Sequence, residues 1–346
     1  MGNKPFLLRP SGKDYLWGGS RLKTEFNKEI DLEPLAETWE CSTHKDGPSY
    51  VVNGEHKGKT LAEVLKMHPE YVGSHPETKG DIPILIKFID ADKDLSLQVH
   101  PSDEYAKEHE NGQQGKTEMW YVLDAKAKSR LVFGLNNDSN PEKIRTAIEK
   151  GTVMKYMQRV PVSKGNIFFV EPGTIHAIGE GCLIAEIQEN SNLTYRLYDY
   201  DRVDAKGNKR ELHVDKALAV AKMKSSANPR QPLRVLKYRP GEASELICRC
   251  KYFEVNRILV NTEDKNPMKF QSDDMSFRVL LCLEGCVQIR VSCGKSELAK
   301  TNEVDGEGVM TKEEVLIVEK GQCVFVPAES EEILIDGKAE FLDVRC

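Results

Sequence analysis

No apolar run in this sequence approaches the roughly 20 residues needed to cross a bilayer, and the stretch Met1–Gly12 has no secretory core. It has no basic block either. Lys and Arg number 49 against 55 Asp and Glu, a net charge of −6, so nucleic acid is not an expected partner. A Gly-rich phosphate cradle and a dinucleotide fingerprint are both missing, which argues against a nucleotide cofactor. The nine cysteines are an odd number in a chain of 346 residues, too long to need disulfide staples. With no membrane span and no export signal, the expectation is a cytoplasmic protein with reduced thiols. Seven of the nine cysteines lie beyond Ile247. Neither Cys248 with Cys250 nor Cys282, Cys286 and Cys293 match a zinc spacing, so buried strand thiols are expected there.

The middle of the chain reads as short strands. Ile82–Ile89, Ser96–His100, Met119–Leu123, Arg130–Gly134, Ile167–Val170 and Leu183–Ile187 are apolar or alternating and rich in β-formers. Four helices are expected, over Thr60–Met67, Ser102–Glu110, Asn140–Lys150 and Asp215–Lys224. The stretch Ser225–Pro232 reads as a linker. This divides the chain into an N-terminal domain over 1–230 with helical insertions and a C-terminal domain over 231–346.

The second half echoes the first. "WYVLDAKAKSRLVFG" from Trp120 is answered by "LLCLEGCVQIRVSCG" from Leu280, and "VSKGNIFFVEPGTIHAI" from Val162 by "VEKGQCVFVPAESEEI" from Val318. Two echoes at similar separation suggest a duplicated β-barrel. The alignment sets His176 opposite Glu331 and Glu118 opposite Arg278. A cation repels a metal, so only the first copy is expected to be active.

Several polar residues are placed where chemistry would need them. In "LSLQVHPSDEY" the strand alternation puts Gln98 and His100 on one face, opposite Leu97 and Val99. In "GQQGKTEMWYVL" Lys116 and Glu118 share a face after a flexible turn. His176 follows a Pro-Gly turn within an apolar stretch. Two imidazoles, a carboxylate and an amide suit a divalent metal, zinc first, with iron or manganese as alternatives. Lys87 interrupts the apolar "IPILIKFID" and Glu186 the apolar "CLIAEIQ", so each needs a buried partner. Arg196 in "NLTYRLYDYDR" either pairs with Asp199 or Asp201 or joins Lys87 and Lys116 in attracting a phosphate.

The segments "YLWGG", "LAETWECSTH", "PILIKFIDADKDLSLQVHPSD", "GKTEMWYVL", "VEPGTIHAI" and "IQENSNLTYRLYDYDR", in that order from Tyr15 to Arg202, resemble the type I mannose-6-phosphate isomerases in their short bacterial form. The resemblance implies a mainly β protein of two cupin-like (jelly-roll) β-barrels with a few peripheral α-helices. It implies one Zn2+ per chain on Gln98, His100, Glu118 and His176, with catalytic roles for Arg196, Lys116 and Glu186. It also implies substrate contacts from Lys87, Trp17, Glu37 and Asn192. Many relatives carry Asp where this chain has Asn192, which can hydrogen-bond but not ionise. The implied reaction is the interconversion of D-mannose 6-phosphate and D-fructose 6-phosphate through an enediol, with a sugar phosphate as the only expected partner and a monomer or weak homo-oligomer as the expected state. A cupin oxygenase, or a sugar-phosphate-binding protein without activity, would share much of this residue set.

Overall fold

The computed structural model describes residues 3–76, 78, 81–204, 206–227, 229, 231, 233–263, 266–291 and 315–346. Cys293 and part of the expected linker lie outside them. Antiparallel strands dominate, with a few short helices. The chain forms two compact units, and neither is continuous in sequence. One gathers Pro10–Ser49 and Ile82–Leu233; the other gathers Met1–Arg9, Tyr50–Asp81 and Arg234–Cys346.

A single cut at 230/231 therefore differs from what is found. The reason is strand pairing: Phe6–Arg9 lies antiparallel to Cys323–Val326, with Phe6 opposite Phe325, and Tyr50–Val51 pairs with Phe6–Arg9 in turn. Two short strands of N-terminal sequence thus complete a ten-stranded sheet whose other strands all come from beyond Leu233. The linker is also less loose than its composition suggests. Gln231 both donates to and accepts from the backbone of Ile167, and Ser225 bridges to Leu135.

The Pro10–Ser49 and Ile82–Leu233 unit contains two sheets. One runs in the order Ile167–Val170, Glu118–Ala125, Cys182–Glu189, Ile84–Asp90, Glu37–Cys41, Ser11–Lys13; the other in the order Tyr195–Tyr198, Leu97–Val99, His176–Ala177, Arg130–Leu135, Met157–Pro161. Alternation decides what faces where. Leu97, Val99, Tyr195 and Leu197 pack with Ile144, Ala147, Ala217 and Leu218 of two helices. The intervening residues Gln98 and Arg196 are left to line the unit's cavity. Trp17, Ile89, Trp120, Val122, Phe168, Ile178 and Ile184 form a second apolar cluster beside it.

The helices start where side chains can cap them. Asn140 accepts from the Lys143 amide ahead of Pro141–Glu149, Ser102 from the Tyr105 amide ahead of Asp103–His109, and Thr60 with Glu63 forms a capping box ahead of Leu61–Met67. The last helix is shorter than Asp215–Lys224: it covers Val214–Val220. Ala221 turns extended because the following residues pair elsewhere, Lys222 N donating to Gly173 O (2.7 Å) and Ser139 N to Met223 O (2.9 Å).

The two echoed stretches pair in comparable registers. Trp120 sits opposite Phe168 on one side and Glu186 on the other, while Leu280 sits opposite Val324 and Asp343. The thiol expectation holds for the buried Cys282 and Cys323. Cys286, however, is exposed and Cys248 and Cys250 are half-buried; Cys286 follows Cys282 in one strand, but a register shift between Cys282 and Glu284 intervenes and turns it outward.

Candidate metal centre and substrate cavity

His100, Glu118 and His176 bring one ligand atom each to within 4.8 Å of one another, and all three are buried. Their positions follow from strand geometry. His176 lies directly opposite Gln98 in the five-stranded sheet, and Gln98 directly opposite Arg196, so three polar side chains cross three strands in one row. Glu118 begins a strand of the other sheet. The Pro-Gly turn before His176 needs its glycine: Gly173 has φ +82°, donates to His100 O (2.9 Å), and a Cβ there would lie 2.8 Å from Val220 O. Gly115, ahead of Lys116, is packed so closely on the backbone of Ser102 and Asp103 that a Cβ would stand 2.5 Å away.

Both imidazoles are fixed from behind. His100 Nδ1–H donates to Leu193 O (2.9 Å) and His176 Nδ1–H to Thr174 O (2.8 Å). Each Nε2 then carries the lone pair and points at Glu118, at 3.5 Å from Oε2 and 3.3 Å from Oε1 respectively. This is how metal-binding histidines are usually oriented. Burial holds His100 well below its ordinary pKa and lowers His176 to about 4, so both are neutral near pH 7. Gln98 Nε2 lies 3.3 Å from His176 Nε2; half a turn of its terminal amide presents the oxygen instead.

A divalent cation fits this site on two observations. His100 Nε2 and Glu118 Oε1 are buried without a hydrogen-bond donor, and Glu118 Oε2 meets only the Lys116 ammonium (3.0 Å), an arrangement proteins avoid unless another group completes it. The surrounding buried charges are also unbalanced: among the described residues, Glu37, Glu118 and Glu186 pair with two lysines, Lys87 and Lys116. Burial, with the charge of Glu186, pushes Glu118 up to about 7 against the pull of Lys116. A cation beside it would favour its ionised form.

The lysines are committed to these carboxylates. Lys116 Nζ is 3.0 Å from Glu118 and 3.9 Å from Glu186; Lys87 Nζ is 3.3 Å from Glu186 and 3.8 Å from Glu37. Burial opposes the charge on Lys87, but Glu37 and Glu186 outweigh it and raise its pKa. Burial likewise works against ionised Glu186, and Lys116 and Lys87 overcome it, holding that carboxyl below its usual range. Trp120 Nε1–H donates to Glu186 (2.8 Å) and Trp39 Nε1–H to Glu37 (2.8 Å).

A cavity of about 230 Å³ opens beside these charges, lined by Trp17, Glu37, Lys87, Gln98, Lys116, Glu186, Asn192 and Arg196, all expected from sequence. Arg196 does not pair with Asp199 or Asp201. Its Nε–H donates to Ser96 Oγ (3.2 Å) and its Nη1–H to Glu211 O (2.9 Å), while Asp199 is taken by Arg202 and Arg210. Asn192 donates to Asp46 (3.0 Å); an aspartate at that position would meet Asp46 with like charge.

Tyr15, Ser96, Thr194 and Arg210 also line the cavity and were not expected. A period-2 signal could have found Ser96, two before Gln98, and Thr194, two before Arg196. Arg210 had none, since it reaches the cavity from a loop. Its Nε–H and Nη2–H bind Asp199 (2.8 and 2.5 Å). Among the described residues, Arg210 Nη1 and Arg196 Nη2 make no hydrogen bond to the protein.

A mainly β unit with a buried His-Glu-His set beneath a polar cavity defines the class: a metal-binding β protein with a small-molecule site. Comparison with known proteins narrows it. The pattern described as phosphomannose isomerase type I, catalytic domain, matches residues 6–137. Mannose-6-phosphate isomerase ManA of Bacillus subtilis is 44% identical over 226 residues, 65% of this chain and 70% of that protein. Mannose-6-phosphate isomerase of Streptococcus mutans is 40% identical over 226 residues, again 65% of this chain and 70% of that protein. The crystal structure of a Bacillus subtilis mannose 6-phosphate isomerase superposes with a TM-score of 0.85 at 31% identity, covering 99% of both chains. This chain belongs to the mannose-6-phosphate isomerase family. Phosphomannose isomerase from Salmonella typhimurium, at 15% identity and a TM-score of 0.71 over 98% of each chain, shares the fold. Among the described residues, no helix is long and apolar enough to cross a membrane.

Proposed function

We propose that this chain interconverts D-mannose 6-phosphate and D-fructose 6-phosphate through an enediol, with one zinc ion held by Gln98, His100, Glu118 and His176. One observation carries the reading: a buried donor set with unsatisfied lone pairs lies beside a cavity that two arginines also enter, each with a free guanidinium nitrogen. The family membership supports the same substrate. A bound divalent cation supplies Lewis-acid stabilisation of negative charge developing on the sugar's O1 and O2.

The residues of the chain divide the remaining work. Arg196 Nη2 and Arg210 Nη1 bind the phosphate, because Lys87 and Lys116 are already neutralised by carboxylates. Glu186 moves the proton between C1 and C2. It lines the cavity, and Lys116 and Lys87 keep it ionised and ready to accept a proton. Lys116 balances the charge of Glu186 and Glu118 as the proton moves. The His rings are poor candidates for this step, since their Nδ1 atoms are tied to backbone carbonyls and their Nε2 atoms face Glu118. Tyr15 stays a neutral phenol, its pKa raised by burial and by Glu37. Tyr15, Trp17, Glu37 and Asn192 shape the sugar's place.

We also read the two units as cupin-like barrels of which only one is catalytic. The repeated registers support this, and so does the substitution at the Glu118 position: Arg278 there forms a two-pronged ion pair with buried Asp343.

The test is a coupled assay with mannose 6-phosphate on the metal-loaded chain, on the chelated chain and after adding back zinc. Turnover should disappear on chelation and return with zinc. Equal turnover by metal-free protein, or oxygen uptake with iron in place of sugar turnover, would overturn the reading.

A further inference from the structure

Arg196 sits on Tyr195–Tyr198, the strand at the end of its five-stranded sheet. An end strand has one neighbour only, so its outward backbone groups need partners from elsewhere. At Arg196 both groups are taken by a single residue. The Arg196 N–H donates to His213 Nδ1 (3.2 Å), and the His213 N–H donates to Arg196 O (2.8 Å). The segment leading to His213 does more. Glu211 O accepts from Arg196 Nη1, and Arg210, one residue earlier, enters the same cavity.

An imidazole that accepts at Nδ1 must carry its proton on Nε2 and be uncharged. We propose that His213 is a positioning residue for Arg196: its neutral ring closes the open strand edge through Nδ1 and thereby sets where the guanidinium enters the cavity. This rests on the reading that Arg196 holds the substrate's phosphate. His213 does not touch that ligand itself; it acts through the backbone of the residue that does.

The surroundings of the ring are consistent with this state. Glu211 lies 3.9 Å from Nε2, Glu110 and Lys216 flank the ring from neighbouring elements, and the Tyr195 ring is 6.4 Å away. Burial lowers the His213 pKa, with Arg196 and Lys216 adding to it and Glu211 and Glu110 opposing. On acidification Nδ1 gains a proton and meets the Arg196 N–H donor to donor, so the contact is lost.

Side-chain geometry supplies a test that separates positioning from general packing. The Oδ1 of an asparagine occupies the place of Nδ1, whereas a glutamine carbonyl reaches towards Nε2. The metal-loaded, full-length chain should be compared as wild type, His213→Ala, His213→Gln and His213→Asn. Loss of the contact in His213→Ala and His213→Gln should raise KM for mannose 6-phosphate about tenfold, with bound metal and Tm little changed. His213→Asn should restore KM to within about threefold of wild type, since its carbonyl accepts the same N–H. It should also lack the His213 contribution to the acid side of the kcat/KM profile, which wild type shows. An unchanged KM in His213→Ala, equal damage in the Asn and Gln variants, or losses that track metal content would each overturn the proposal. If wild type turns over the ester while His213→Ala does so at the same KM, only this proposal fails. A wild type without turnover refutes the isomerase reading as well.

Discussion

At the scale of single residues, the site is organised by what each charge is already bound to. Lys87 and Lys116 are the cations that stand out in sequence, yet both are spent on buried carboxylates. Arg196 and Arg210 are half-exposed, and each keeps one nitrogen without a partner among the described residues. Arg210→Ala should therefore raise KM for the sugar phosphate roughly 10- to 100-fold, the range expected for losing a charge-assisted hydrogen bond, while bound metal stays constant. Steady-state kinetics with metal analysis checks this. Arg210→Lys should recover little, because one ammonium cannot hold Asp199 with a fork and reach a phosphate together. The residues of the donor set were legible in sequence because strand alternation and polar interruptions of apolar strands are local signals. Arg210 was not, since nothing local distinguishes it from the arginines at 202 and 230.

At the scale of elements, the strand beginning at Glu118 depends on a carboxyl outside the metal set. Glu189 accepts from the Thr117 N–H (2.6 Å), and its own N–H donates to Thr117 O (3.0 Å). Burial, together with the facing Asp103, raises Glu189 to about 8, despite the opposing hydrogen bonds from Thr117. The folded chain thus keeps a proton that the unfolded chain gives up above a pH of about 4.3. The stability tied to this proton is complete below that pH and is lost as pH rises through about 8. Glu189→Gln mimics the protonated acid, so its Tm should fall less than that of wild type between pH 5 and pH 8. Thermal melts across that window decide it, and parallel curves would refute it. The helices show how far local rules reach. Thr60, Ser102 and Asn140 cap the helices that follow them, but Val214–Val220 stops early because Lys222 and Met223 are drawn into pairing with residues about 50 and 84 positions away.

At the scale of the whole molecule, the two units are interleaved in sequence. A chain ended at residue 230 keeps Phe6 and Leu8 but loses Phe325 and Cys323, their strand partners. Those buried side chains would then be exposed on an unpaired strand edge. Such a fragment should bind a hydrophobic dye and aggregate at concentrations where the full chain stays monodisperse, as light scattering would show. A soluble, fully active fragment would contradict the division described here.

Strand alternation, the helix starts and the polar interruptions of apolar strands are properties of neighbouring residues, so sequence alone determined them. The echoed stretches also pair alike, Trp120 facing Phe168 and Leu280 facing Val324. Only the tertiary structure decided which cations remain free for a ligand, why Asn192 suits a place beside Asp46, and that Phe6–Arg9 pairs with Cys323–Val326. Those outcomes depend on Coulomb partners and strand neighbours brought together from tens to hundreds of positions apart, and no local pattern encodes which of them will meet.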